Sequence, residues 1–187
     1  NRHLIGQIMD QSDAVNKFYA ARIKMHKLFS FPNPVNDYAA RSVAAVVILL
    51  VASFLITANE FLLLFITYGF LARVLTGPTL SPIGLLATKI IVPALGSPTK
   101  LVPGPPKRFA QFVGLLISFL AVIAIFAFDS PTSARYLMGI ICFFATLESV
   151  LGFCAGCFVF GWLMKLNVIP ESVCESCVID METADLN

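Results

Sequence analysis

FAQFVGLLISFLAVIAIFAF, residues 109–128, runs between Arg108 and Asp129 without a single charge. About twenty apolar residues in a helix, rising roughly 1.5 Å each, cross the ~30 Å hydrocarbon core of a bilayer. In lipid every backbone N–H and C=O must be satisfied within the segment, so this stretch points to an all-α integral membrane protein. Composition agrees. Hydrophobic residues make up 58% and charged residues 13% of the chain, and mean hydropathy is +0.84, whereas soluble domains carry about 25% charge.

Further apolar intervals locate the other crossings. SVAAVVILLVASFLITAN lies between Arg41 and Glu60, and FLLLFITYGFLARVL follows after a turn at residues 57–60. After Asp129-Ser130-Pro131-Thr132 and Ser133 comes ARYLMGIICFFATLESVLGFCAGCFVFGWLM. The expectation is four transmembrane helices, at about 42–58, 60–76, 109–128 and 133–155, arranged as two hairpins. Arg41 and Arg108 open corresponding helices, which suggests a parallel 2+2 pseudo-repeat. Pro131 suits a helix start, where the first amides have no partner within the helix.

Flanking segments complete the organisation. Residues 1–36 include DQSDAVNKFYAARIKMHKLF, an amphipathic candidate for a membrane surface or a partner subunit. Residues 37–166 form the membrane domain, and 167–187 an acidic tail carrying a second C-x-x-C. In the central connector, Ser81-Pro82 is an N-cap and first-turn pair. The helix it starts is expected to lie along the interface and to end at about Val92, ahead of Pro93, before an extended strap from Gly96 to Pro106. Lys and Arg gather before the first span and in the connector. By the positive-inside bias, both termini and the connector then face the cytoplasm, matrix or stroma, in an organelle inner membrane or a bacterial plasma membrane. Asn1 in place of Met would suit a precursor trimmed on import. No basic patch interleaved with aromatics occurs, so nucleic acid is not an expected partner.

Three blocks carry a family resemblance. R-x-L-x-G-P-x-L-S-P-I-G from Arg73 to Gly84, P-P-K-R-F-A-Q-F-V-G from Pro105 to Gly114, and G-F-C-A-G-C from Gly152 to Cys157 stand in order along the chain. Over roughly residues 36–160 the chain resembles domain of unknown function family 4395, small four-span membrane proteins. The resemblance implies the four-span fold and no established activity. Some members are joined to thioredoxin-like domains, which hints at thiol chemistry. Glu148 stands where the family tends to have a neutral amide, and the terminal extensions lie outside the likeness.

The cysteines are the main chemical signal. Cys154, Cys157, Cys174 and Cys177 give C-x2-C-x16-C-x2-C, within the spacing of a four-cysteine zinc site. Residues 158–166 as helix would carry the chain about 14 Å away, and the extended residues 167–174 could return it. A redox dithiol would need only Cys154 and Cys157, but needs a helix N-terminus or cations to lower a thiol pKa. The sequence places this pair late in its helix, where the dipole disfavours thiolate. Thiols with no joint role are the third reading, and Cys142 reads as a small core residue.

Glu148 is the only carboxylate expected well inside a span, where an ionisable group marks function by default. Pairing with Arg73, Arg135 or a hydroxyl is the structural alternative to a proton or ion pathway. Arg41 and Arg108 read as snorkelling anchors, or as lipid or partner contacts. His3 and His26 lack ligand spacing, and no nucleotide loop, Ser-His-Asp set, carboxylate pair or H-E-x-x-H occurs. The leading expectation is a non-catalytic accessory or scaffold subunit of a larger membrane assembly, with bound lipids, other membrane subunits as partners and a four-cysteine Zn²⁺ clamp. The alternatives are a thiol–disulfide redox partner using Cys154 and Cys157, and a solute pathway through Glu148.

Overall fold

Pro105 and Pro106 decide where the longest helix begins. Neither can donate a backbone N–H, and both fix φ near the helical value, so they fit a first turn and nothing further in. In a computed structural model, which describes residues 31–166, 168–170 and 173–174, this helix starts at Gly104, five residues before the expected span. The amphipathic segment before residue 31 and most of the acidic tail lie outside the described residues.

Six helices and one short ribbon make up the described fold. Helix α1 spans Asp37–Thr57, α2 Glu60–Thr76 and α3 Pro82–Ala94. After them come α4 Gly104–Phe126, α5 Pro131–Leu151 and α6 Ala155–Lys165. Strand β1, Val35–Asn36, pairs antiparallel with β2, Leu101–Val102, holding the connector against the start of α1. Three helices, α1, α4 and α5, are long and apolar enough to cross a membrane. Leu49, Ile56, Phe119, Phe143 and Tyr136 lie exposed on them, a surface suited to lipid rather than water.

Local chemistry sets each boundary. Asn36 and Asn59 cap α1 and α2, their side-chain oxygens accepting from Tyr38 N and Phe61 N, which satisfies amides that lack a helical partner. Asp129 takes a positive φ at the turn before α5, and α5 begins at Pro131 as the sequence predicts. Helix α3 passes through Pro93 to Ala94, beyond the expected stop at Val92. Its middle, Ala87–Ile91, is a π turn in which Val92 N donates to Ala87 O, an i→i−5 pattern that absorbs the irregularity before the proline.

The core lies where the two halves meet. Helix α4 packs chiefly on α2 and α5, and also on α6, while α5 packs on α1. Val47, Val51, Phe54, Leu63, Ile66 and Met138 fill the centre. On α4 the inward stripe is Lys107, Gln111, Gly114, Ser118, Ala121 and Ala124, polar or small residues at helical spacing. Small residues let helices approach closely in lipid. An added Cβ at Gly114 would run into the Phe70 ring of α2.

Candidate dithiol site at the end of the bundle

The CAGC segment takes its place from a helix break. Leu147–Leu151 is a second π turn, and Gly152 follows with φ +70°, a left-handed conformation that favours glycine and ends helices. The fourth expected span, 133–155, therefore stops at Leu151. Phe153 turns, and Cys154 becomes the N-cap of α6, with φ −97° and ψ 101°. The expectation that the cysteines lie late in a helix is corrected: they lie at a helix start, where the dipole favours thiolate.

At that start the Cys154 sulfur accepts from the backbone N–H of Cys157 at 3.3 Å. Cys154 sits below the ordinary thiol range, first because the Cys157 thiol also donates to it. The Lys107 charge and the Cys157 backbone N–H act in the same direction, against burial and the Glu148 charge. Cys157 is pushed far above the ordinary range by its own hydrogen bond to Cys154, then by burial and the Cys154 charge. The two thiols are thus driven in opposite directions, Cys154 toward thiolate and Cys157 toward the protonated form. Both are free and half-buried.

Gly156 brings α6 against α4. A Cβ there would stand 2.6 Å from both Cα and Cβ of Ala110. Phe109 and Phe160 continue the contact, with ring centroids 5.7 Å apart.

Lys107 supplies the neighbouring cation. Its Nζ stands 2.9 Å from Glu148 Oε1 and 3.1 Å from Asp37 Oδ1, with side chains 7%, 14% and 8% exposed. Lys100, 67% exposed, lies at 4.0 Å from Asp37. Glu148 is therefore paired within the bundle, near the end of α5. Its partner is none of those the sequence suggests: Lys107 lies in the first turn of α4 rather than in the connector. Asp37 was also missed, although it begins a capped helix. The stripe running from Lys107 through Gln111 to Gly114 was the available signal for the lysine.

The remaining sites separate. Arg41 donates through Nε and Nη2 to Ser149 O at 3.2 and 3.1 Å, and through Nη2 to Val150 O at 3.0 Å. Arg108 Nε donates to Val74 O at 2.9 Å. Each thus covers carbonyls at a helix C-terminus, a favourable place for a cation. Cys174 is buried on Phe160 and Met164 and is disulfide-bonded. Cys177 lies outside the described residues. Among the described residues no group of three or more His, Cys, Asp or Glu is placed to hold a metal. Cys142 packs beside the central core.

Cys154 faces two spaces. A groove of about 380 Å³ on one side is lined by both cysteines, Lys100, Lys107 and Phe158. On the other side an apolar cavity of about 240 Å³ enters the bundle. Chemically, the arrangement can form, break and exchange a disulfide.

No curated protein and no solved structure matches the chain. The sequence pattern of one family, Domain of unknown function (DUF4395), matches residues 35–165. That match takes in all six helices and the CAGC segment, and the chain belongs to this family.

Proposed function

We propose that the protein is a membrane thiol–disulfide oxidoreductase in which Cys154 attacks and Cys157 resolves. The observation that carries this reading is the Cys154 sulfur at the α6 N-cap, accepting from Cys157 N at 3.3 Å beside Lys107. Helix N-termini and nearby cations are the environments that activate cysteines. In one direction, the Cys154 thiolate attacks a partner's disulfide and the partner's first sulfur leaves as a thiolate that takes a proton. Cys157 then gives up its proton and attacks the Cys154 sulfur, releasing the partner's second thiol. One disulfide forms here as one is reduced there, and the reverse sequence oxidises a partner dithiol.

The groove beside Lys100 and Phe158 gives a protein segment access to both sulfurs. Such exchange needs a protein partner, so an accessory place in a membrane assembly fits the same reading. Helix α2, with 17 residues, is short but within the range for a span; it would complete four crossings, with α3 along the interface. The Lys and Arg bias supports placing the cysteine end on the cytoplasmic, matrix or stromal side. Glu148, held by Lys107, sets charge near Cys154 rather than carrying an ion.

The test is Cys157→Ser in native membranes. A mixed disulfide between Cys154 and a thiol protein should accumulate and disappear on reduction. Absence of such an adduct, together with no reversible Cys154–Cys157 disulfide in the unaltered protein, would sink the reading. A zinc clamp is the second reading: Cys174 packs on α6 close to the CAGC segment in sequence order, and its disulfide would have to be reduced before it could serve as a ligand. Stoichiometric zinc in purified protein that vanishes with Cys174→Ser would support it; zinc-free protein would remove it.

A further inference from the structure

A cation with one unsatisfied donor forms part of the wall of the cavity behind Cys154. Arg73, on α2, is 4% exposed and lines this cavity together with Cys154, Gln111 and Glu148. Its Nε donates to Gln111 Oε1 at 2.7 Å and its Nη1 to Ser81 Oγ at 3.3 Å. Nη2 is buried with no hydrogen-bond partner. Among the described residues no carboxylate lies within ion-pair distance of the guanidinium. A buried donor left unmade costs about 1–3 kcal/mol, and more when charged, so a ligand oxygen in the cavity would gain by drawing the guanidinium toward it.

The walls say what kind of ligand. Phe70, Phe109 and Phe144 supply aromatic surface, and the guanidinium lies 4.6 Å from the Phe70 ring centroid. Phe144 is 43% exposed at the bundle surface, so one edge of the cavity meets the apolar exterior. A volume of about 240 Å³ is at the small end for ligand pockets and suits one ring system, with any long tail left outside. An aromatic-walled chamber open to the apolar surface, with a buried oxygen-seeking donor and a nucleophilic thiol on one wall, matches a lipid-soluble quinone.

We propose that this cavity binds the head group of a membrane quinone, which accepts the electrons of the Cys154–Cys157 dithiol. The inference rests on the dithiol reading above and names the acceptor for it. Two S–H bonds break and one S–S bond forms. The two electrons and two protons pass to the quinone, whose two carbonyls become the hydroxyls of the quinol. Arg73 Nη2 holds one quinone oxygen and stabilises the negative charge that develops there. The outer groove then serves the protein partner and the inner cavity the acceptor, with Cys154 facing both.

The experiment uses the purified full chain in lipid nanodiscs, reduced, and a ubiquinone analogue with a decyl tail as probe. Two thiols should be lost per quinone reduced, read by thiol titration and quinone absorbance. Arg73→Gln should slow quinone reduction at least tenfold at subsaturating quinone, while exchange with a small soluble disulfide stays within twofold. Ala145→Phe, which fills the cavity away from the thiols, should do the same. Should both variants misfold, an azido-quinone photolabel on the unaltered protein decides. Labels within residues 109–117 or 141–145 support the cavity, and labels confined to other surfaces overturn it. A dithiol that exchanges with soluble disulfides yet reduces no quinone overturns the acceptor and leaves the exchange reading standing. A dithiol inert to both defeats the exchange reading itself.

Discussion

The two halves of the membrane domain share one frame and differ in what they place at one position. Residues 37–94 and residues 104–165 each run long helix, returning helix, glycine break, short helix. Gly77 N donates to Arg73 O at 2.9 Å in the first half, and Gly152 N to Glu148 O at 3.1 Å in the second. After the break, Ser81 Oγ accepts from Gly84 N at 3.2 Å; its counterpart is Cys154 Sγ, accepting from Cys157 N at 3.3 Å. Each half also sends an Arg from its first helix to carbonyls of the other half's returning helix, Arg108 to Val74 O and Arg41 to Ser149 O. The cap that is a buried hydroxyl in one half is a thiol in the other, and Gly84 becomes a second thiol. The frame supplies the helix start; only the second half puts sulfur on it.

The comparison breaks first at Cys154→Ser, which makes the second cap like the first. Thiol–disulfide exchange should vanish, while stability changes by no more than about 1 kcal/mol, because Ser is itself a good N-cap. Activity assays and thermal unfolding would check both. Lys107→Met removes the cation that Asp37 and Glu148 share, and breaking a buried pair of this kind costs about 3–5 kcal/mol. Because the Lys107 charge favours the Cys154 thiolate, its loss should move the alkylation midpoint of Cys154 to higher pH. An unchanged midpoint would leave the helix start and Cys157 as the sole activators.

Gly156→Val tests the packing that presents the dithiol. The new Cβ meets Ala110 at 2.6 Å on the neighbouring helix, so overpacking should cost about 1–3 kcal/mol and reduce exchange. In the first half, Gly84→Ala meets Pro78 Cα at 2.8 Å, in its own connector, and should lower stability with little effect on exchange. The smallest effects concern the crossing arginines. Arg41→Ala, which gives up bonds to two carbonyls, should cost about 1–2 kcal/mol. Arg108→Ala, which gives up one exposed bond, should cost less. Equal losses in denaturant titrations would contradict that asymmetry.

Much of this frame was legible in the sequence, and the decisive detail was not. The uncharged run at 109–128, the two arginines and Pro131 marked the helices and hinted at a repeat. GFCAGCFVFGWLM, however, reads as one apolar continuation of α5. Only the positive φ of Gly152 interrupts it, and that turns the cysteines from the end of one helix into the start of another. Lys107 was hidden in the same way. The prolines before it looked like a loop, yet they occupy a first turn, which buries the lysine between Asp37 and Glu148. Gln111, one turn along the same face, reaches Arg73, a pairing that no local pattern announces because it joins two helices distant in sequence.

The most direct test of the account is differential alkylation of the reduced protein across pH, with each cysteine quantified by mass spectrometry. Cys154 should react at lower pH than an ordinary thiol, and Cys157 only at much higher pH, since one sulfur accepts the other's proton. Matching midpoints for the two, or Cys157 reacting first, would contradict a nucleophile at the α6 cap.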